Sequence, residues 1–598
     1  MTDAQYSPLT AALVRTLSDK LYEKRKTAAM DIEKLVRDLV QTNQLSQLEK
    51  LLSVLKSLTL SQNRNTKKGG LLGLAAAAVV LGKGIADYTA PLIEPVLPCF
   101  SDQDSQVRYH ACESLYNIVK VCRTSALSHF NVLFDVLWKL SADSDVNVRS
   151  GAEVLDRLLK VNLDQCLNDI VIGAGSFDVS QIMVLIRERI YSQNSSNRRF
   201  IVSWLSALLT APEISILEYI PEVLDGVFQM LGDPQPGLRD ATEAVLGQFL
   251  ESISSADEKD NVELGTMVNV LILHICNVSN EIERKIALLW LAQFLQMRST
   301  QLLPYLSGYL TAVLPYLDDP ELKANDINKV LLDLYTEDTE IELEAVIEVL
   351  LKHQKHAKRE TRIAVLRWLK HIHTKASSKL SPYMDKIFPL LFSMLLDSCD
   401  DVLLLDLQIL CDICDKDNPE LANFEAPYLN DLMKKQLVGI SPHLVRFAVS
   451  LLTMFRKDAQ LLDDRGVLII RQLCLLLDPT HVFRCLSVLL LHEDNVQFLT
   501  QMISILNGIL FTATELYEMR INLKYLNTAE SASLFECLYR CWCHQPIALL
   551  GLCIMSQKYK HASDLAKCLS KVNITVDVLV EIDKLVQLIE SPILACLA

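Results

Sequence analysis

The chain has 598 residues, half of them hydrophobic and 7% aromatic, with 18 glycines and 19 prolines. Sheets joined by tight turns would need more Gly and Pro, so a chain this long reads as stacked aliphatic helices, in several domains or a repeat array. Its 58 Lys and Arg against 73 Asp and Glu leave a net charge of −15, which argues against a general nucleic-acid footprint.

From the N-terminus, Met1 to Thr10 is polar and has no apolar signal core. A predicted helix then carries Lys20, Lys24, Arg25 and Lys26, and Arg64, Lys67 and Lys68 are expected in the turn that follows. Together they form a candidate contact patch for anionic lipid headgroups or an acidic partner. Glu23, Asp31 and Glu33 interrupt it, and a solvated helix face is the plainer reading. The apolar run Leu71 to Leu81 closes at Gly82-Lys83-Gly84. It is shorter than the roughly 20 residues of a membrane span, and Ala75 to Ala78 point instead to a close helix–helix contact. Gly82-Lys83 is the nearest approach to a phosphate-binding loop. Ala77 and Gly84 stand where that loop needs its first Gly and its Ser/Thr, so a helix end is expected.

A pattern then recurs: an apolar helix, an Asp-rich turn, and a small apolar residue plus Arg opening a second helix. Residues 91–120 read PLIEPVLPCF, SDQDSQ, VRYHACESLYNIVK, and 133–160 and 219–250 repeat the scheme. The arginines are Arg108, Arg149 and Arg239, with Arg198 between the last two and weaker copies at Arg284, Arg362 and Arg446. A degenerate copy holds Asp401 and Val402. A spacing of about 40 residues with two helices per unit is the HEAT or armadillo signature. The fold class expected is therefore all-α, an α-solenoid of stacked helical hairpins. Each unit leaves an apolar face that only stacking can bury. Turn aspartates Asp102, Asp104, Asp143, Asp145 and Asp233 are expected to cap second helices and to meet Arg108, Arg149 and Arg239 in a ladder. Partly exposed pairs of this kind are worth about 0–1 kcal/mol each. Leu155 and Leu158 lie on the apolar face of 152–160 and are expected to be buried; damage there would weaken a partner that docks nearby.

Residues 318–345 are acidic and match the repeat poorly, and beyond about 460 the turn pattern fades while helical periodicity persists. Three parts are expected: 1–330, an N-terminal solenoid; 331–460, middle repeats; and 461–598, a C-terminal helical region for partner binding and self-association.

Enzyme signatures are missing from the sequence: it has no His-Arg-Asp or Asp-Phe-Gly triplet, no Gly-x-Ser-x-Gly elbow and no His-Glu-x-x-His helix. Cys411 and Cys414 share a helix face but have no second pair nearby in sequence for zinc. Cys541 and Cys543 point about 200° apart on a helix, so the group Cys537, Cys541, Cys543 and His544 cannot close on a metal. Both groups read as core packing. The sixteen cysteines, set singly in apolar helices as at Cys112, Cys276 and Cys474, read as reduced thiols of a cytosolic protein. No catalytic residue, metal or cofactor is expected.

Several long stretches carry a more specific likeness. They are LSDKLYEKRKTAAMDIEKLVRDLV (17–40), TKKGGLLGLAA (66–76), EPVLPCFSDQDSQVRYHACESLYNIVKV (94–121), HFNVLFDVL (129–137) and VLDRLLK (154–160). RGVLIIRQLCLLL (465–477), LFECLYRCWCHQP (534–546) and VDVLVEIDKLVQLIESPI (576–593) add to them near the C-terminus. Nearly end to end, they resemble the Vac-fourteen family of vacuole-morphology scaffolds. The resemblance implies a non-catalytic organiser with two partners. One is a FYVE-finger phosphatidylinositol 3-phosphate 5-kinase, which makes phosphatidylinositol 3,5-bisphosphate. The other is a Sac-type phosphoinositide phosphatase, which removes the 5-phosphate. It implies self-association through the C-terminal part, some of which is expected to lie past the block ending at Ser591 to Ala598. It also implies cytoplasmic placement, peripheral on endosomal and lysosomal or vacuolar membranes, with membrane contact through the partners. The competing reading, a transport or cargo adaptor, calls for an inner groove lined with regularly spaced Trp and Asn, and five Trp do not form such a ladder.

Overall fold

The computed structural model describes residues 6–168, 179–211, 214–256, 263–276, 280–336, 341–415, 433, 436–571 and 576–589. The described residues form α and 3-10 helices joined by turns, and two compact units divide at Leu302 and Leu303. Ser591 to Ala598 lie outside the described residues.

The first unit holds α1 (Ala11–Leu17), α2 (Tyr22–Gln41), α3 (Leu45–Thr59), α4 (Arg64–Leu81), α5 (Thr89–Ile93), α6 (Ser105–Cys122) and α7 (Phe130–Leu140). It continues with α8 (Val146–Asn168), α9 (Val179–Arg189), α10 (Ser195–Thr210), α11 (Ile220–Met230), α12 (Pro236–Ser255), α13 (Leu264–Cys276) and α14 (Glu281–Leu302). First and second helices alternate. The second helices α2, α4, α6 and α8 pack side by side, as do α10 and α12, while α7, α9, α11 and α13 form the companion layer. Each second helix buries a stripe at helical spacing; in α6 it is Val107, Ala111, Leu115, Ile118 and Val119. That is the repeated hairpin of a HEAT-type solenoid.

The basic residues Arg64, Lys67 and Lys68 sit in the opening turns of α4 rather than in a turn, because Asn63 caps that helix through the N–H groups of Asn65 and Thr66. Helix α4 is the most closely approached element here. A Cβ at Gly69 would stand 2.1 Å from the Leu17 carbonyl oxygen, and one at Gly70 would stand 2.5 Å from Thr59 Oγ1. Ala75 to Ala78 are buried on the same helix. Gly82 then ends α4 at φ +52°, a conformation that favours glycine.

The second unit repeats the hairpin with Leu343–His353 and Arg359–Lys375, then with Met384–Met394 and Asp400–Asp415. The scheme continues where the sequence pattern fades. Pro479–Leu490 and Val496–Thr512 are joined by a turn in which Glu493 accepts from the Asn495 N–H and Asn495 caps the second helix.

Candidate functional site

The turns between paired helices share one construction. A side chain two residues before the N-cap accepts the N-cap residue's N–H: Asp102 from Asp104 at 2.9 Å, Asp143 from Asp145 at 2.9 Å, Asp233 from Gln235 at 3.0 Å and Asp397 from Cys399 at 2.8 Å. The second acid, where present, is the cap itself; Asp104 accepts from Gln106 and Asp145 from Asn147. The two aspartates of each turn therefore divide the work. One braces the turn, and the other caps the helix.

The bracing aspartate also receives a cation from the helix before it. Lys67 reaches Asp102 at 2.5 Å, Arg108 reaches Asp143 at 2.7 Å, Arg198 reaches Asp233 at 3.0 Å and Arg362 reaches Asp397 at 2.5 Å. All four pairs are 35 residues apart. The cation's other contacts are backward, to its own turn: Arg108 donates to the carbonyls of Asp102 and Gln103, and Arg149 to those of Asp143 and Ser144. Burial alone would raise the Asp143 carboxyl, but the Arg108 bonds and the Asp145 N–H outweigh it and hold the group below its usual range.

Arg239 departs from the expected ladder. Its own turn's Asp233 is 1% exposed and already taken by Arg198 and by the Ser195 hydroxyl at 2.9 Å. The position four past the N-cap faces the following turn, so an arginine meets its own aspartate only through the carbonyl. Arg149 makes no ion pair ahead of it among the described residues, since Ser192 occupies the bracing position of the next turn. Arg446 leaves the series for another reason: it pairs sideways with Asp385 at 3.1 Å and lies over the Phe388 ring.

Leu155 is fully buried in α8, whereas Leu158 is half-exposed and Leu159 takes the buried place expected for it. A side chain with no exposed surface touches no partner, so Leu155 serves the stack. One turn away lies an arrangement that hydropathy hides. Asp156 accepts from the Trp204 indole N–H at 2.7 Å and from Lys160 at 2.6 Å. Trp368 donates to Asn328 at 2.8 Å and Trp542 to Asn507 at 3.1 Å in the same manner. These tryptophans are buried and each bonds to the second helix of the preceding hairpin, so they do not line the open groove that a cargo adaptor would need. An acid placed on the apolar stripe, as at Asp156, is the sequence signal for this linkage.

The seven basic residues separate by environment. Lys24 pairs with Asp19 at 3.0 Å, Arg64 with Asp104 at 3.9 Å and Lys67 with Asp102. Arg25 and Lys68 are buried at 5% and 6% exposure. Lys20 and Lys26 are exposed. They do not form one open patch.

Among the described residues, no group of three or more His, Cys, Asp or Glu is placed to hold a metal ion. Cys411 and Cys414 are buried, as are Cys537 and Cys541, while Cys543 is exposed. Burial pushes the Cys541 thiol up to about 12.

Residues 65–161 match a family model described as the Vacuolar 14 Fab1-binding region, and 459–598 match one described as Vacuolar protein 14 C-terminal Fig4p binding. The Protein VAC14 homolog of Arabidopsis thaliana is 37% identical over 99% of this chain and 76% of its own length. The Schizosaccharomyces pombe homologue is 30% identical over 97% of this chain and 81% of its own. The Vacuole morphology and inheritance protein 14 of Saccharomyces cerevisiae is 26% identical over 97% and 80%. Among solved structures, the karyopherin Kap121p is 14% identical over 97% of this chain and 66% of its own, at a TM-score of 0.27. Importin beta is 12% identical over 96% and 68%, at 0.26. Scores that low carry no argument, and the solenoid assignment rests on the hairpins themselves. The segments 65–161 and 459–598, with relatives that match nearly the whole of this chain, settle the family: this chain belongs to the VAC14 family, scaffolds of the Fab1 kinase and the Fig4 phosphatase.

Proposed function

We propose that this chain does its work without a catalytic site of its own, by holding a phosphatidylinositol 3-phosphate 5-kinase and a Sac-type phosphatase on one polypeptide. The observation that carries the reading is the separation of the two matched segments, 65–161 and 459–598, into different units of the fold. Within 65–161 the chain Lys67, Asp102, Arg108, Asp143, Arg149 ties α4, α6 and α8 together through two consecutive turns. Such a surface is preorganised, which lowers the ordering cost of binding. Residues 1–330 serve as the kinase-side solenoid, 331–460 as the middle repeats and 461–598 as the phosphatase-side and self-association region.

Placement on endosomal and vacuolar membranes follows from the partners. Among the described residues no single helix is long and apolar enough to cross a membrane. The bent pair Val496–Thr512 and Thr514–Tyr525 passes a length and composition test together, with a 78° break, but its apolar residues Phe498, Met502, Leu506 and Leu516 are buried. The test is co-purification of the full chain with kinase and phosphatase, with lipid turnover assayed for the chain alone and for the complex. Co-purification of both partners, with turnover only in the complex, is expected. Turnover by the isolated chain that is lost on changing one of its own residues would overturn the reading.

A further inference from the structure

Arg25 and Lys68 are the buried cations of the N-terminal unit; the charges of Asp19 and Asp104 favour their charged forms, but neither acid forms an ion pair with them among the described residues. Arg25 occupies the ladder position of α2. Its guanidinium donates backward to the carbonyls of Asp19 and Lys20 at 2.9 and 3.0 Å, as Arg108 does in its own turn. Where Arg108 finds Asp143 ahead of it, Arg25 finds none: the bracing side chain of the next turn is Ser61, which accepts from the Asn63 N–H. Lys68, on α4, donates to the neutral side chain of Gln106 at 2.5 Å. Neither makes an ion pair among the described residues, and each is more than nine-tenths buried. Burial disfavours the charged form of both. Buried charges without a counter-charge are costly, and these two lie on one cleft between α2, α4 and α6, where each adds to the other's cost.

The cleft is bounded by Tyr22 and His110, whose rings stack at 6.5 Å, and by Glu113, which meets His110 Nδ1 at 3.0 Å. Tyr22 is exposed, so the cleft opens to the surface. Its interior space is about that of a water molecule, enough for one oxygen of an inserted group. Of the charged side chains that line the cleft, Arg25 and Lys68 outweigh Glu113 by one positive charge, with Asp19 and Asp104 acting from outside the lining. A carboxylate matches that charge, whereas a phosphate dianion would stand against Glu113. Two of the three walls, α4 and α6, belong to the segment 65–161 that matches the Fab1-binding region.

We infer that this cleft receives the carboxylate of an acidic side chain from the kinase partner, which gives Arg25 and Lys68 the ion pair that neither makes within the chain. The inference rests on the scaffold reading above and gives it an anchoring point.

The experiment uses the full chain, with Lys68→Met, Lys68→Gln and Lys26→Met, the last an exposed lysine outside the cleft. Affinity for the purified kinase is measured at several salt concentrations, beside the thermal midpoint and flotation with vesicles of anionic lipid. Both Lys68 variants should bind the kinase about tenfold or more weakly, with a flatter salt dependence. Their midpoints should stay level or rise, and Lys26→Met should bind as the parent does. Lys68→Gln keeps a polar head beside Gln106, so it carries the test if methionine disturbs the fold. Unchanged kinase affinity in a folded Lys68 variant would overturn the inference while leaving the scaffold reading intact. Lost vesicle binding with kinase affinity retained would overturn it in favour of a lipid headgroup. A parent chain that fails to bind kinase at all would overturn both.

Discussion

Arg108 holds Asp143 with both sides of its guanidinium, Nε to Oδ2 at 2.7 Å and an Nη to Oδ1 at 2.8 Å. The two side chains keep only 13% and 10% exposure, which sets this pair apart from the surface pairs worth about 0–1 kcal/mol that the sequence pattern implied. Removing one partner leaves a largely desolvated charge on the other. Arg108→Ala should therefore cost about 1–3 kcal/mol, read as faster hydrogen exchange in the turn at 141–146 with distant repeats unaffected. The Asp143 carboxyl is held below its usual 3.8. The pair's contribution is thus complete above that pH and is lost as pH falls through the lower folded value. An exchange rate in Arg108→Ala equal to the parent's at neutral pH would count against this account.

Asp406 presents the opposite case. It is fully buried in the helix Asp400–Asp415, and neither carboxylate oxygen has a hydrogen-bond partner among the described residues. Burial first, and then the nearby charge of Asp397, push its pKa well above 3.8. The folded chain keeps this proton where the unfolded chain loses it. Its contribution is therefore most favourable below pH 3.8 and declines as pH rises toward the folded value. Asp406→Leu should raise the thermal midpoint by removing an unsatisfied polar group, worth about 1–3 kcal/mol, and the gain should be larger at pH 8 than at pH 4. A gain that shrinks with rising pH would refute the assignment.

Gly69 tests the crossing of α4 over α1. A methyl group there meets backbone, the Leu17 carbonyl oxygen at 2.1 Å, and no flexible side chain can swing clear. Gly69→Ala should force the helices apart at a cost of about 1–3 kcal/mol or more. Repeats contact only their neighbours, so kinase binding should weaken while phosphatase binding through 459–598 persists. Equal loss of both partners would mean that the damage travels along the chain.

The hairpin repeat was legible because its parts are local: an apolar stripe, an Asp-rich turn and an Arg at a fixed place. What was not legible is long-range. Val-Arg in 107–108 looks the same as Leu-Arg in 238–239, yet Arg108 pairs with the acid of the next turn, while the acid of Arg239's own turn, Asp233, is held by Arg198. Hydropathy put Leu158 on the buried face, and the pitch of α8 buried Leu159 in its stead. The turn at Glu493 went unread because Glu and Asn replace the two aspartates while making the same bonds. Lys68 passed for a member of a surface run, since nothing local says that α6 will cover it. The Gly69-Gly70 pair marks a close approach of α4 to Leu17 and Thr59 and says nothing of α6.

The last prediction concerns lipid. The N-terminal basic residues are the chain's clearest source of positive charge, and an exposed one contributes about 1 kcal/mol near an anionic surface. Most of them are already engaged: Lys24, Arg64 and Lys67 face Asp19, Asp104 and Asp102, and Arg25 and Lys68 are buried. That leaves Lys20 and Lys26 as the open pair, on a chain of net charge −15. The purified protein should therefore float weakly with vesicles containing phosphatidylinositol 3-phosphate at physiological salt, and strongly once the kinase is added. Lys20→Ala with Lys26→Ala should leave the kinase-dependent flotation unchanged, because the lipid contact then belongs to the partner. Strong flotation of the chain alone, abolished by that double substitution, would place lipid binding on α2 and the turn before it.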